Sequence, residues 1–237
     1  MTPFSRTERV LGKEAMTRLS KARVAVFGIG GVGGYVAEAL ARSGIGRIDI
    51  VDNDTVSVTN INRQIIALGD TVGKKKIDVM RERLSAISPN VKIVSHDCFV
   101  LPENLSNFPF EDYDYVVDAM DTVTAKIAVI CRCKEQNVSV ISCMGTGNKV
   151  YPERLQLADI SKTTICPLAR VMRKELGLRG IKHLPVVFST ETPREPQGEL
   201  TESTTKRSVP GSTAFVPAAA GFILAGKVVR DIAEISE

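Results

Sequence analysis

The sequence contains no tryptophan and only eight phenylalanines and four tyrosines in 237 residues. Proteins that bind single strands stack bases on aromatic rings, so this scarcity argues against such a platform. No apolar run is long enough to span a bilayer. The longest, residues 214–226, contains Pro217 and stops at Lys227, whereas a spanning helix needs about 20 apolar residues. It reads instead as a core helix. The opening MTPFSRTERVLGKEAM is too polar for the hydrophobic region of a secretory signal. CxxC pairs are also missing. The five cysteines (Cys98, Cys131, Cys133, Cys143, Cys166) are scattered and odd in number, which fits reduced thiols in a cytoplasmic protein. Neither charge sign dominates: a formal net charge of +4 permits a nucleic-acid partner without demanding one.

What is present is enough apolar sequence, 43% against 24% charged, to bury a sizeable core. The length fits one large domain. Arg23–Gly28 (RVAVFG) reads as a buried strand running into a glycine turn. A helix over residues 35–42 and a strand over Arg47–Val51 (RIDIV) follow, making a βαβ unit. The alternation continues. A helix is predicted over 72–87, with Ile77, Met80, Leu84 and Ile87 on one face, then strands over 91–95 and 113–118. A helix over 122–136, with Ile127, Ile130 and Cys131 inward, leads to a strand over 138–142. This rhythm predicts an α/β fold: a Rossmann-like, doubly wound, mainly parallel sheet with helices on both faces. Residues 1–22 read as an N-terminal arm and 23–150 as the nucleotide-binding core. Residues 151–237 form a C-terminal extension, with strands over 155–160 and 184–189 and helices over 167–176 and 217–235. Residues 190–212, rich in proline and hydroxyl side chains, read as a mobile loop.

The turn VFGIGGVGGY matches GxGxxG at Gly28, Gly30 and Gly33, which by itself fits either a hydride-carrying dinucleotide or a triphosphate. The residues downstream discriminate. Asp52 ends the second strand, where an acid grips ribose hydroxyls. From eight residues past that acid the chain carries Asn60, Asn62, Arg63 and Gln64. A planar guanidinium suits a polyphosphate, whose oxygens it pairs two at a time, and has little to do in hydride transfer. Gly73-Lys-Lys-Lys76 opens the next predicted helix, an anion-binding arrangement. Asp118 and Asp121 end a later strand, at the sheet edge where ligands bind in this architecture. Asp121 is well placed for Mg²⁺, which typically uses one or two protein carboxylates and keeps its waters.

This ordered set, GxGGVG, then D-x-D-x-V-x-x-x-N-x-x-R-Q, then VGKxK, then DAxD, resembles the ubiquitin-activating-enzyme-like (ThiF/MoeB-type) adenylating superfamily over roughly the first 145 residues. The resemblance implies ATP and Mg²⁺ as cofactors and a carboxylate attacking the α-phosphate to give an acyl-adenylate. Carried across by motif, Asp52 holds the ribose, Asn60, Arg63 and Lys76 hold the phosphates, and Asp121 binds the metal. Gly28, Gly30, Gly31, Gly33, Asp54 and Gln64 border the nucleotide. It also implies a homodimer in which an arginine matching Arg6, in FSRT, reaches the neighbouring subunit's site.

Three further stretches narrow the match: FSRTERVLG, SKTTICPLARVMRKEL (161–176) and KRSVPGSTAFVPAAAGFILAGKVVRDI (206–232). They resemble bacterial tRNA threonylcarbamoyladenosine dehydratases. That resemblance implies tRNA carrying threonylcarbamoyladenosine as substrate, ATP activation of its carboxylate, and ring closure that expels AMP. An intramolecular nucleophile then replaces a catalytic cysteine. Some relatives continue into a hydrophobic membrane tail, whereas this chain stops at Glu237. Lys162, Arg170, Arg173, Lys174, Arg179 and Lys182 supply a basic stripe for tRNA phosphates, or else an ordinary solvated helix face. Cys131-Arg-Cys133 has the wrong spacing for zinc. Cys166 precedes a helix start, where a dipole lowers a thiol pKa, but an incidental cysteine is the plainer reading. His96 and His183 read as structural. The competing functions are activation of a small sulfur-carrier or ubiquitin-like protein, with sulfur-transfer partners, an NAD-dependent oxidoreductase, and a non-catalytic scaffold.

Overall fold

The computed structural model describes residues 2–198 and 210–235. Among the described residues, seven strands form one sheet in the order β3-β2-β1-β4-β5-β7-β6. They are β1 (Arg23–Phe27), β2 (Arg47–Val51), β3 (Lys92–His96), β4 (Tyr115–Asp118), β5 (Ser139–Cys143), β6 (Leu155–Asp159) and β7 (Pro185–Ser189). All neighbours pair in parallel except β6 with β7. The expected mainly parallel, doubly wound sheet is therefore present, closed at one edge by an antiparallel strand. Every residue of β1 is buried, as a central parallel strand covered on both faces requires, and its sequence is accordingly almost unbroken in apolarity.

The strand pleat divides the core between the two faces. Val24, Val26, Ile48, Ile50 and Val117 pack with side chains of α3 (Gly33–Arg42), α4 (Lys76–Ile87) and α7 (Phe215–Ile232). Ala25, Phe27, Val116, Val140 and Phe188 pack on the other face with α5 (Val123–Glu135), α6 (Pro167–Gly177) and the short 3-10 turns at Pro102–Asn107 and Phe110–Asp112. Each large aliphatic or aromatic side chain buried this way contributes about 1.5–3 kcal/mol. The apolar run ending the chain is the core helix it was expected to be. Gly221 of α7 sits so close to α3 that a Cβ there would lie 2.7 Å from the Val32 carbonyl oxygen. Among the described residues, no helix is long and apolar enough to cross a membrane.

Several boundaries and contacts differ from expectation. The fourth helix begins at Lys76, because Gly73 takes a φ of +85° and residues 73–75 turn back onto Val56 and Thr55. In α5 the inward thiol is Cys133, fully buried, while Cys131 is half-buried; residue 133, not 131, falls in line with Lys126 and Ile130 at helical spacing. The arm is helical: α1 (Ser5–Leu11) and α2 (Lys13–Lys21) meet at Gly12, whose φ is +86°. Ala15 and Leu19, one turn apart, bury α2. Residues 199–209 of the expected loop lie outside the described residues.

A charged network stiffens the sheet behind β2. Asp49 is fully buried, and Arg23 grips both its oxygens at 3.0 and 2.8 Å. His96 Nε2 lies 3.0 Å from Asp49 Oδ2, and the Tyr113 hydroxyl donates to the same oxygen at 3.2 Å. Burial pushes the Asp49 carboxyl upward, but the hydrogen bonds from His96 and Arg23 outweigh it and hold the pKa at about 2. His96 is thus structural, as expected. His183 instead has an 81% exposed side chain beside Asp159.

Candidate nucleotide site

Strand order reverses between β1 and β4, so the connections leaving these strands diverge and open a crevice at their carboxyl ends. The glycine turn enters it directly from β1. Gly28 takes a φ of +88°, and a Cβ on it would lie 2.8 Å from the Ala119 carbonyl oxygen. A Cβ on Gly33 would lie 1.7 Å from the Gly28 carbonyl oxygen. These two glycines are structural necessities of the turn. Gly30 and Gly31 face outward: their nearest neighbours are the side chains of Gln64, and of Arg63 and Pro217, respectively. Backbone in that position can approach a phosphate closely.

Asp52 lies at the end of β2 and organises the turn. Its Oδ2 accepts from the Ile29 amide at 2.7 Å and its Oδ1 from the Asp54 amide at 2.8 Å. The acid expected to meet a ribose is thereby locked in orientation beside the glycines. Asn60 is buried, and its Oδ1 accepts from the Ser57 amide at 3.0 Å. Its visible work is closing the 3-10 turn Val58–Asn60, which leads into Arg63 and Gln64. Arg63 Nη1 donates to the Thr59 carbonyl at 2.9 Å and to Asn62 Oδ1 at 2.8 Å, leaving other guanidinium donors for a ligand. Gln64 is buried beside Gly30, and among the described residues its Oε1 has no hydrogen-bond partner. A buried orphan acceptor beside an open glycine turn marks a place where a ligand or water completes the network.

Lys76 is the first residue of α4. A cation there opposes the helix dipole, and Asp54 compensates by accepting from its buried ammonium at 2.7 Å. Asp54 thus orients Lys76. Lys75 pairs with Asp97, and Lys74 is exposed. The three-lysine cluster accordingly resolves into one buried, directed ammonium.

The carboxyl edge of β4 corrects one expectation. Asp118 does not face the crevice: it is fully buried, 2.8 Å from the equally buried Lys126 ammonium, and accepts from Ser142 Oγ at 2.6 Å. Lys126 also donates to the Met120 and Cys143 carbonyls at 3.2 and 2.8 Å. This knot fixes the ends of β4 and β5 and sets the turn that presents Asp121, which is exposed. Lys126 and Ser142 escaped the sequence reading, although a lysine on the inward face of α5, one turn before buried Ile130, is the signal that finds it.

Arg6 is not brought to this crevice within the chain. Its helix is anchored by Phe4 against Gly44, just before β2 begins, at the amino edge of the sheet. The basic stripe is also split. Lys162, Arg170, Lys174 and Lys182 are exposed, but Arg173 is spent on the Ile160 and Thr163 carbonyls and Arg179 pairs with Glu175. Cys166 precedes α6 and is buried. Burial pushes the Cys143 thiol up to about 12.

The glycine turn, Asp52, Arg63, Gln64 and Lys76 therefore lie together, and their backbone amides, guanidinium and ammonium suit a nucleotide polyphosphate. The chain is 43% identical to the tRNA threonylcarbamoyladenosine dehydratase of Bacillus subtilis, over 97% of this chain and 94% of that protein. It is 39% identical to the Escherichia coli protein of the same name, over 88% and 81% of the two chains. The solved structure of the E. coli tRNA N6-threonylcarbamoyladenosine dehydratase in complex with ATP superimposes with a TM-score of 0.88 at 36% identity, covering 97% of this chain and 93% of that one. The ThiF family model matches residues 4–234, and the chain belongs to the ThiF family.

Proposed function

We propose that this protein uses ATP to dehydrate N6-threonylcarbamoyladenosine in tRNA, forming a cyclic product through a carboxyl-adenylate. The observation that carries the reading is the clustering of Asp52, Arg63, Gln64 and the Asp54-oriented Lys76 around an open glycine turn, in a chain matching dehydratases over nearly its whole length.

In the first step a carboxylate oxygen of the substrate attacks the α-phosphorus of ATP. The bond to the bridging oxygen breaks and pyrophosphate leaves. Charge builds on the departing phosphates, and Arg63 and Lys76 stabilise it in a site whose dipoles are already oriented. Asp52 takes the ribose hydroxyls. In the second step the neighbouring ureido group attacks the activated acyl carbon, closing a ring and expelling AMP, which carries away the oxygen lost as water. Because that nucleophile belongs to the substrate, proximity does what a catalytic thiol does elsewhere. A single exposed carboxylate with phosphate oxygens and waters fits the needs of Mg²⁺, and Asp121 would hold it, supplying charge neutralisation on the phosphates. Arg6, on a helix at the amino edge, would serve the site of a second copy in a homodimer. The exposed Arg170, Lys174 and Lys182 would contact tRNA phosphates.

Mass spectrometry of tRNA nucleosides after incubation with protein, Mg²⁺ and ATP tests the proposal. The expected result is loss of one water from threonylcarbamoyladenosine with stoichiometric AMP. An unchanged nucleoside, or AMP release stimulated instead by a small carrier protein's C-terminus, would overturn it.

A further inference from the structure

Besides Lys76, paired with Asp54, two lysines are buried at the carboxyl edge, and their surroundings differ in kind. Lys126 satisfies its ammonium with one carboxylate and two carbonyls. Lys149, six residues beyond β5, is 2% exposed, yet its ammonium donates only to the Gly145 carbonyl, at 2.6 Å. Among the described residues no carboxylate lies within ion-pair distance of it. The nearby candidate, Glu191, is itself buried but spends its oxygens on the Val150 and Tyr151 amides. A lysine has three donors and a full charge, and a buried charge that is not paired is costly to the fold. An anion arriving there would pair with it.

The position of Lys149 says which anion. Its carbonyl accepts from Thr213 Oγ1 at 3.4 Å, and the chain then enters α7, whose Pro217 packs against Gly31 of the glycine turn. Its neighbour Asn148 clasps Gly211 through two hydrogen bonds, and Ser212 reaches Asn62, the residue that holds Arg63. Lys149 is thus joined to the crevice from the β5 side. The phosphate-directed groups, Arg63 and Lys76, come from the connections after β2, on the other side of β1. Lys149 follows β5 and so stands on the opposite flank of the crevice from them.

We propose that Lys149 binds an anionic oxygen group of the reactants, and that this group is the substrate carboxylate. The assignment rests on the carboxylate-activating reading above. The ammonium holds the carboxylate so that its free oxygen faces the α-phosphorus, and it leaves no negative charge uncompensated between carboxylate and phosphates.

The test uses Lys149→Met, which keeps an unbranched stem without the ammonium, with Lys149→Arg as a charge-retaining control. Three quantities are measured: thermal melting, Mg-ATP affinity by calorimetry without tRNA, and AMP formation with threonylcarbamoyladenosine-containing tRNA. The Met variant is expected to melt at or above the wild-type temperature, because an unpaired buried charge has gone. It should bind ATP unchanged and lose on the order of 10²-fold in kcat/KM for tRNA, with Arg partly restoring it. A large drop in melting temperature makes Lys149 a structural group and overturns the proposal. Weakened ATP binding assigns the anion to ATP, and normal turnover removes any anion role. If the wild-type protein forms no AMP with this tRNA, the parent reading fails, and the carboxylate assignment with it.

Discussion

Replacing Lys126 with methionine tests whether the buried knot at the carboxyl edge holds the site together. Methionine fits the volume but leaves Asp118, fully buried, without its counter-charge. Only Ser142 Oγ at 2.6 Å and the Met120 amide at 3.2 Å remain to the carboxylate. The Met120 and Cys143 carbonyls lose a donor as well. Breaking a buried pair from one side costs about 3–5 kcal/mol. In a chain of this size each kcal/mol moves the melting temperature by about 2–4 °C, so a drop of about 6–20 °C is expected by calorimetry. The double variant Lys126→Met with Asp118→Asn removes the stranded charge while keeping a side chain that bonds to Ser142, and it should recover most of the loss. A single variant that melts within about 2 °C of wild type, well below the expected drop, would refute the reasoning. So would a double variant no more stable than the single.

Arg63→Ala and Asp121→Ala should each lower AMP formation on the order of 10²–10³-fold while leaving the far-UV spectrum and melting intact; near-normal turnover in either removes the assigned role. Asp49 gives a pH signature. Its folded pKa of about 2 lies below the ordinary 3.8, so its contribution is present above pH 4 and is lost as pH falls toward 2. That contribution is about 2 kcal/mol. The stability gap between wild type and Asp49→Asn, from urea unfolding, should therefore narrow by this amount between pH 4 and pH 2, and a constant gap contradicts the linkage.

Much of the sheet was legible because a doubly wound fold writes itself locally. A parallel strand buried on both faces reads as a nearly continuous apolar run, as the VAVF of β1 does. Helix positions followed wherever one face carried Ile77, Met80 and Leu84. The arm was not legible as helix, since α1 buries no residue completely and only Ala15 and Leu19 are buried in α2. The start of α4 was misjudged by four residues because Gly73, with its left-handed φ, folds the lysines back toward Val56 before the helix begins.

By itself the sequence determined the glycine turn, the acid at the end of β2 and the order of the phosphate-directed motifs, because each depends on spacing along a few consecutive residues. The tertiary structure alone decided which charged groups face the crevice and which support it. Asp118 and Asp121 are three positions apart in one motif, yet one is sealed against Lys126 and the other is exposed. Lys126 and Lys149 look equally ordinary as letters. Only burial and the oxygens around each ammonium separate Lys126, held by a carboxylate and two carbonyls, from Lys149, held among the described residues by the Gly145 carbonyl, and those contacts are set by how the turns after β4 and β5 fold.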